Sequence, residues 1–332
     1  MKNLPCMTPT GWFQVGWTAD VPVGEVVPMH YFDKDLVCFR GHDNQVHILD
    51  AHCQHLGANL AAGCVVEDGI QCPFHGWVWN GEGRNVRIPY QDRPNRGRKV
   101  GSHFAAERNE TIYLWHDTEG REPTWELPDA FSTLGPHVES PSYHPLSPEC
   151  RTRFEKVATA PGIVAENAVD PHHFKFVHHL PISPKVLRED ADSSTWSTKV
   201  GFGRRWDDGV DRAGDSLNTL EIFFSGLGVG FHGEHTAQGV RLVQLATTPV
   251  DQHLSDIFAT YWIEDEGSDF AERLYSAQQS LPEDVAIWND QIFIDPPGLA
   301  TSEAAGFKKL RAWARGFYPE DQLAPRASAH SA

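Results

Sequence analysis

Residues 52–83 read HCQHLGANLAAGCVVEDGIQCPFHGWVWNGEG. Within them Cys53-x-His55 and Cys72-x-x-His75 form two Cys-His pairs sixteen residues apart, each beside a glycine that suits a tight loop at a hairpin tip. Two thiolates and two imidazoles bind either zinc or a [2Fe–2S] cluster. Zinc fingers usually pair like with like, two Cys and then two His. Here each loop supplies one of each, which suits a cluster with two Cys on one iron and two His on the other. Neutral imidazole in place of thiolate leaves less negative charge to oppose reduction, so the potential rises. The blander reading is a chance set of buried cysteines and surface histidines.

Outward from this stretch, residues 12–115 carry short apolar runs (VVPMHYF, LVCFR, QVHILD, TIYLWHD) between Gly, Asp and Asn turns, the pattern of antiparallel strands. Prolines 123, 128, 136, 141 and 145 mark residues 121–145 as a linker or a segment that wraps between domains. RTRFEKVATA (151–160) reads as a strand. Residues 161–177 read as helical, interrupted by Pro171. Residues 195–262 return to closely spaced strand-like runs, which predicts an antiparallel sheet. Residues 268–293 read as helical, with Pro282 a kink or fresh start and Ser280 with Glu283 a capping box. Residues 318–332, rich in Ala, Pro and Ser, read as a flexible tail.

The 332 residues include 28 Lys plus Arg and 45 Asp plus Glu, for a net charge of −17. Such a chain repels phosphate backbones, which argues against nucleic-acid binding. No apolar run is long enough for a membrane span, and MKNLPCMTPTGWF has no signal-like apolar stretch. Six scattered cysteines do not make a disulfide scaffold, so a reducing cytoplasm is the expected location. Cys38 and Cys64 read as small core residues. Arg84, Arg87, Arg93, Arg96, Arg98 and Lys99 against Asp92 give a basic run, either a solvated loop, a subunit contact or a steering patch for an acidic electron donor.

A second constellation lies in residues 166–179, ENAVDPHHFKFVHH, as Asn167-x-x-Asp170-x-x-His173-x4-His178. Two His and one carboxylate are the facial set that holds non-haem Fe(II) and leaves open positions for O2. On a regular helix His173 and His178 are about 140° apart, so they share a metal only where the helix widens, breaks or ends. His172 and His179 are rivals, and a His-rich surface helix is the blander reading. The carboxylate must come from further along: Asp284, Asp290 and Asp295 are the candidates. Acids such as Glu283 and Asp284 in a helix first turn also favour the helix dipole with no metal at all.

Both motifs, in this order, resemble the Rieske non-haem iron oxygenases. The flanking His55-Leu56-Gly57, Cys72-Pro73, His75-Gly76-Trp77 and Gly83…Ile88-Pro89 match as well. Cytochrome-type Rieske proteins place a disulfide cysteine two residues after the first His, where this chain has Gly57. CPFHGWVWNGEGR and NAVDPHHFKFVH are most similar to the oxygenase component of 3-ketosteroid 9α-hydroxylases. The resemblance implies an α+β fold: an N-terminal antiparallel β Rieske [2Fe–2S] domain (1–120), the linker 121–145, and a helix-grip catalytic domain with a curved antiparallel sheet and mononuclear iron (146–317).

It further implies cluster ligands Cys53, His55, Cys72 and His75, and iron ligands His173, His178 and an acid resembling Asp284, which precedes Trp288 by four. Asp170 would hydrogen-bond the far nitrogen of His173 and bridge to His75 of a neighbouring subunit, because the two metals of one chain lie too far apart. A homotrimer follows as the expectation. The implied activity is that of a terminal oxygenase: O2-dependent hydroxylation of a small apolar substrate, with a 3-ketosteroid-like body as the class that the resemblance suggests. Electrons would come from NAD(P)H through a separate reductase or ferredoxin, since no nucleotide-binding Gly motif is present. Branches acting on aromatic acids, methyl ethers or amines stay open. An electron carrier needs only the first domain, and a zinc-stabilised binding protein needs no iron.

Overall fold

The computed structural model describes residues 5–265 and 269–319. The N-terminal part is built from three small antiparallel sheets. One pairs Gly11–Trp17 with Thr111–His116 and Ala105–Arg108. A second runs in the order Val26–Tyr31, Lys34–Arg40, Val46–Asp50, Ser102–His103. The third is a meander of four three-residue strands, Cys64–Val66, Gly69–Gln71, Val78–Asn80 and Asn85–Arg87. Trp79, Phe39, Leu49, Ile70 and Val100 are buried together with Cys53 and Cys72, so both Cys-His loops are anchored in one apolar cluster. Cys38 is buried as expected, whereas Cys64 is exposed: the Cys64–Val66 strand is a sheet edge whose side faces solvent.

The C-terminal part is a seven-stranded antiparallel sheet. Its order is Arg151–Val157, Ser255–Ile263, Gly239–Pro249, Val229–Thr236, Thr219–Ser225, Thr195–Gly201, Lys185–Ala191. Consecutive hairpins build six of its strands, as the short spacing of the runs predicts, with the tight turn at Gly226 (φ 57°) dividing one long apolar run into two strands, while Arg151–Val157 pairs across the chain with Ser255–Ile263. The edge strand Lys185–Ala191 is too polar to read as a strand in sequence; an edge tolerates that.

Two helices, Phe270–Gln278 and Ser280–Asp290, press Leu274, Ala277, Leu281 and Trp288 onto Leu245, Ile257, Ala259 and Tyr261 of the sheet. Burial of side chains this size stabilises by about 1.5–3 kcal/mol each and fixes the second helix over the sheet. The break falls at Gln279, and no side-chain cap forms there. The expected Ser280/Glu283 capping box is therefore absent, since the first helix leads directly into the second and Glu283 bonds elsewhere.

Residues 121–145 wrap instead of hanging free. Leu127, Ala130, Leu134 and Val138 are buried with Trp12, Tyr113 and Phe231, and Trp125 donates to Ser225 Oγ at 3.1 Å. A C-terminal helix, Ala304–Ala314, was not evident in the sequence. Its Arg311 meets the buried Glu166 at 2.6 Å and so braces the segment that carries the histidines. Of the expected tail, residues 320–332 lie outside the described residues. None of the described helices is long and apolar enough to cross a membrane.

Candidate metal centres and substrate cavity

The two Cys-His loops fold alike. The amide of Gly57 donates to the carbonyl of Cys53 (2.9 Å) and that of Gly76 to the carbonyl of Cys72 (3.1 Å). Both glycines have positive φ, 79° and 70°. A Cβ on Gly76 would lie 2.8 Å from Pro89, so only glycine lets the second loop close. The loops bring the His55 and His75 rings to 4.7 Å between centroids and lay Trp77 flat on His55 at 4.4 Å and 8°. Cys53 and Cys72 lie side by side in apolar surroundings, and burial pushes the Cys53 thiol above its usual range. The indole of Trp79 donates to Cys53 Sγ at 3.3 Å, and Nδ1 of His75 is buried with no partner among the described residues.

These observations fit a [2Fe–2S] cluster. The Cys53 thiol, whose ionisation burial opposes, and a buried His75 nitrogen with no partner among the described residues are satisfied together by a cationic metal pair. A single zinc needs all donors around one point. Among the described residues the only group of three with ligand atoms within 4.8 Å of one another is His173, His178 and Asp284.

That second group forms where the helix reading meets its difficulty. Pro161–Ala165 is α-helical and Glu166–Val169 tightens to a 3-10 turn. Pro171 interrupts, and a single turn, His173–Phe176, follows. The chain then closes with His179 at φ 56° and the amide of Leu180 on the carbonyl of Phe174. This is the left-handed cap of a helix end. His173 and His178 thus bracket one turn, their rings 5.3 Å apart at 80°. The rivals diverge: His172 bonds Ser183 through Nδ1 (3.0 Å), and His179 is exposed.

Of the three candidate acids, Asp284 lies 3.4 Å from His178 Nε2. Asp290 is exposed, and Asp295 faces Arg311 and Arg315 instead. Glu283, read in sequence as a cap or dipole partner, bonds Nδ1 of His178 at 2.9 Å. His178 therefore presents Nε2 towards Asp284. Burial lowers the pKa of His178, but the two carboxylates outweigh it and hold the ring above its usual range. Burial keeps His173 below its usual range, so it is neutral and able to ligate.

Asp170 departs from expectation in one respect. Nδ1 of His173 is hydrogen-bonded by the backbone carbonyl of Asp170, and not by its carboxylate. The carboxylate Oδ1 instead accepts from the amides of His172 (2.9 Å) and His173 (3.2 Å). The ring is still oriented with Nε2 free. A hard, N/O donor set on one face suits Fe(II).

The three side chains open onto a cavity of about 580 Å³ between the helices and the sheet. Its walls are mostly apolar, including Phe174, Ile222, Phe224, Val243, Leu281 and Trp288. His232 faces it from the sheet beside Asp284 and His173, and burial drives its pKa down to about 4. Sequence reading missed His232. The alternation in VGFHGEHT (229–236) carries the signal, since it places residues 232, 234 and 236 on one face.

The arrangement matches known proteins across its length. Residues 11–104 match the family model described as Rieske [2Fe-2S] domain, and residues 114–318 the model described as 3-Ketosteroid 9alpha-hydroxylase C-terminal domain. A cholesterol 7-desaturase of Bombyx mori is 28% identical over 348 residues, covering 98% of this chain and 73% of that protein. A 3-ketosteroid-9-alpha-monooxygenase oxygenase component of Rhodococcus rhodochrous is 34% identical over 183 residues, 54% of this chain and 47% of that one. Among solved structures, Pseudomonas putida CBB5 NdmA with caffeine superposes with a TM-score of 0.72 at 17% identity, covering 92% of this chain and 89% of that one. Dicamba monooxygenase bound to dicamba gives 0.65 at 17%, covering 92% and 96%. At such identity these two speak for the fold alone.

Proposed function

The chain belongs to the Rieske non-haem iron oxygenases with a 3-ketosteroid 9α-hydroxylase-type C-terminal domain, and from that premise we propose how its residues divide the work of a terminal oxygenase component. Such an oxidoreductase uses a [2Fe–2S] cluster, a mononuclear iron and O2. Cys53 and Cys72 would hold one cluster iron, and His55 and His75 the other. His173, His178 and Asp284 would hold the mononuclear iron, whose chemistry when bound is the reductive activation of O2. The observation that carries this is the convergence of those three donors in the lining of a mostly apolar cavity.

The chain's own residues do the rest. Glu283 fixes His178 and the Asp170 carbonyl fixes His173, each leaving Nε2 for the metal. The walls exclude water and position an apolar, steroid-like body for monooxygenation. The named relatives act on cholesterol and a 3-ketosteroid, which supports that substrate class over aromatic acids, methyl ethers or amines. Residues 1–120 would form the cluster domain and 146–317 the catalytic domain, joined by 121–145. Asp170 would pass electrons from the cluster of a neighbouring subunit in a homotrimer. A separate NAD(P)H-dependent reductase or ferredoxin would supply them, steered by the exposed 84–99 run, and the free thiols of Cys38, Cys64 and Cys150 suit a cytoplasmic location.

Metal analysis with single turnover tests this. Purified protein should hold the two irons and two labile sulfides of the cluster plus one further iron per chain, and pre-reduced protein should hydroxylate a steroid with O2. Two irons and no turnover would leave an electron carrier; zinc would leave a binding protein. Turnover of methyl ethers but no steroid would move the substrate class.

A further inference from the structure

We propose that Glu234 and Arg241 form a charge-neutral clamp that holds one uncharged oxygen of the substrate, a carbonyl or a hydroxyl, at the polar end of the cavity. This rests on the steroid-like reading of the cavity and says which end of such a molecule goes where.

Glu234 and Arg241 are cross-strand partners in the hairpin of Val229–Thr236 and Gly239–Pro249. Nε of Arg241 donates to Glu234 Oε2, and both side chains line the cavity. Asn218 and Thr236 complete this end, while Ile222, Val243 and Leu245 on the same sheet face are apolar. The two side chains are part-exposed, 30% and 23%, and so partial an ion pair adds little to stability, which leaves its place on the cavity wall to be explained by what the cavity binds.

Its chemistry selects. Arg241 carries five N–H donors in a fixed fork, and only some are taken up by Glu234; the carboxylate keeps acceptor sites of its own. A ketone accepts from the spare donors, and an alcohol can also donate to Glu234. A substrate carboxylate meets the charge of Glu234, and an ammonium meets that of Arg241, so both are disfavoured. The clamp thus argues against two of the substrate branches that the sequence leaves open, aromatic acids and amines.

Position follows from strand geometry. His232 lines the cavity with Asp284 and His173 and lies close enough to feel both charges, and Glu234 is two residues further along the same face. That is about 7 Å along the strand. The carbon presented to the iron is therefore several bonds from the held oxygen.

The test uses holoenzyme, equilibrium dialysis and product analysis with four steroids of one ring skeleton: ketone, alcohol, deoxy and carboxylate. Wild type should bind ketone and alcohol about 10- to 100-fold more tightly than the deoxy compound and the carboxylate, the range for hydrogen bonds to charged groups. In Glu234→Gln the Arg241 charge is uncompensated, and the carboxylate should gain about tenfold or more relative to the ketone. In Arg241→Met the ketone should bind no better than the deoxy compound, and its product should spread over more than one carbon. Equal binding of ketone and deoxy steroid by wild type, or an unchanged carboxylate-to-ketone ratio in Glu234→Gln, would overturn the clamp alone. If wild type bound none of the four, the steroid reading would fall and the clamp with it.

Discussion

The indole N–H of Trp79 donates to Sγ of Cys53 at 3.3 Å inside the core that anchors both Cys-His loops. A hydrogen bond to a ligating sulfur stabilises the more negative, reduced cluster and raises its potential. Trp79→Phe keeps the aromatic packing and deletes the donor. The variant should retain its cluster and visible spectrum, with a potential lower by on the order of tens of millivolts, since 59 mV is tenfold for one electron. A redox titration followed by absorbance checks this. An unchanged potential would mean that the indole does not reach the cluster-bound sulfur.

The carboxylate choice is tested by iron content. Asp284→Ala removes one of three converging donors and should empty the mononuclear site while the cluster survives. Asp290→Ala and Asp295→Ala should retain that iron, because the first residue is exposed and the second faces Arg311 and Arg315. Iron and labile sulfide counted in parallel distinguish the outcomes. Loss of iron in either of the latter two, with Asp284→Ala loaded, would move the ligand.

His116 sets an acid limit on stability. Its ring stacks on Phe32 with centroids 3.8 Å apart and planes 9° apart, and Nδ1 lies 2.8 Å from the Pro9 carbonyl. Burial pulls its pKa down to about 4 from 6.5. The folded pKa is depressed, so between pH 6.5 and 4 the unfolded chain takes up a proton that the native chain refuses. Stability is then lost as pH falls through that window, by roughly 1.4 kcal/mol per pH unit for this group. His116→Phe should be less stable at pH 7, where the Pro9 carbonyl loses its donor, yet fall less steeply towards pH 5. Urea midpoints of both proteins across that range check it, and parallel slopes would mean that His116 titrates normally.

What the sequence shows about this molecule follows from where each signal is stored. Cys53, His55, Cys72 and His75 carry their chemistry in residue type and local spacing, and so are legible before any fold is known. His173 and His178 are legible as a pair, but the one-turn helix that unites them depends on Pro171 and on the cap at His179. Glu283 shows the opposite case. Its position three after Ser280 fits a capping box, but tertiary packing runs the helices together at Gln279 and frees the carboxylate for His178. His232, Glu234 and Arg241 act through a sheet face, and a face is read only once strand register is known. The polar Lys185–Ala191 edge strand lacks the apolar alternation on which strand reading depends.

Asp170 separates two duties that are easily confused. Its backbone carbonyl orients His173, and its carboxylate Oδ1 accepts the amides of His172 and His173. Oδ2 makes no hydrogen bond among the described residues. Asp170→Asn leaves the carbonyl in place and offers an amide oxygen for the same two N–H groups, so ring orientation survives. Cluster and mononuclear iron should both stay substantially loaded. The negative charge that would draw a proton or bridge to His75 of the partner subunit is gone. Steady-state turnover should fall by about a hundredfold or more, the scale of loss when an outer partner of a metal site is removed. Single-turnover kinetics on pre-reduced protein, with iron counted in parallel, reads the electron step directly. Turnover at the wild-type rate would dismiss the bridge, and loss of iron would show that the carboxylate shapes the site after all.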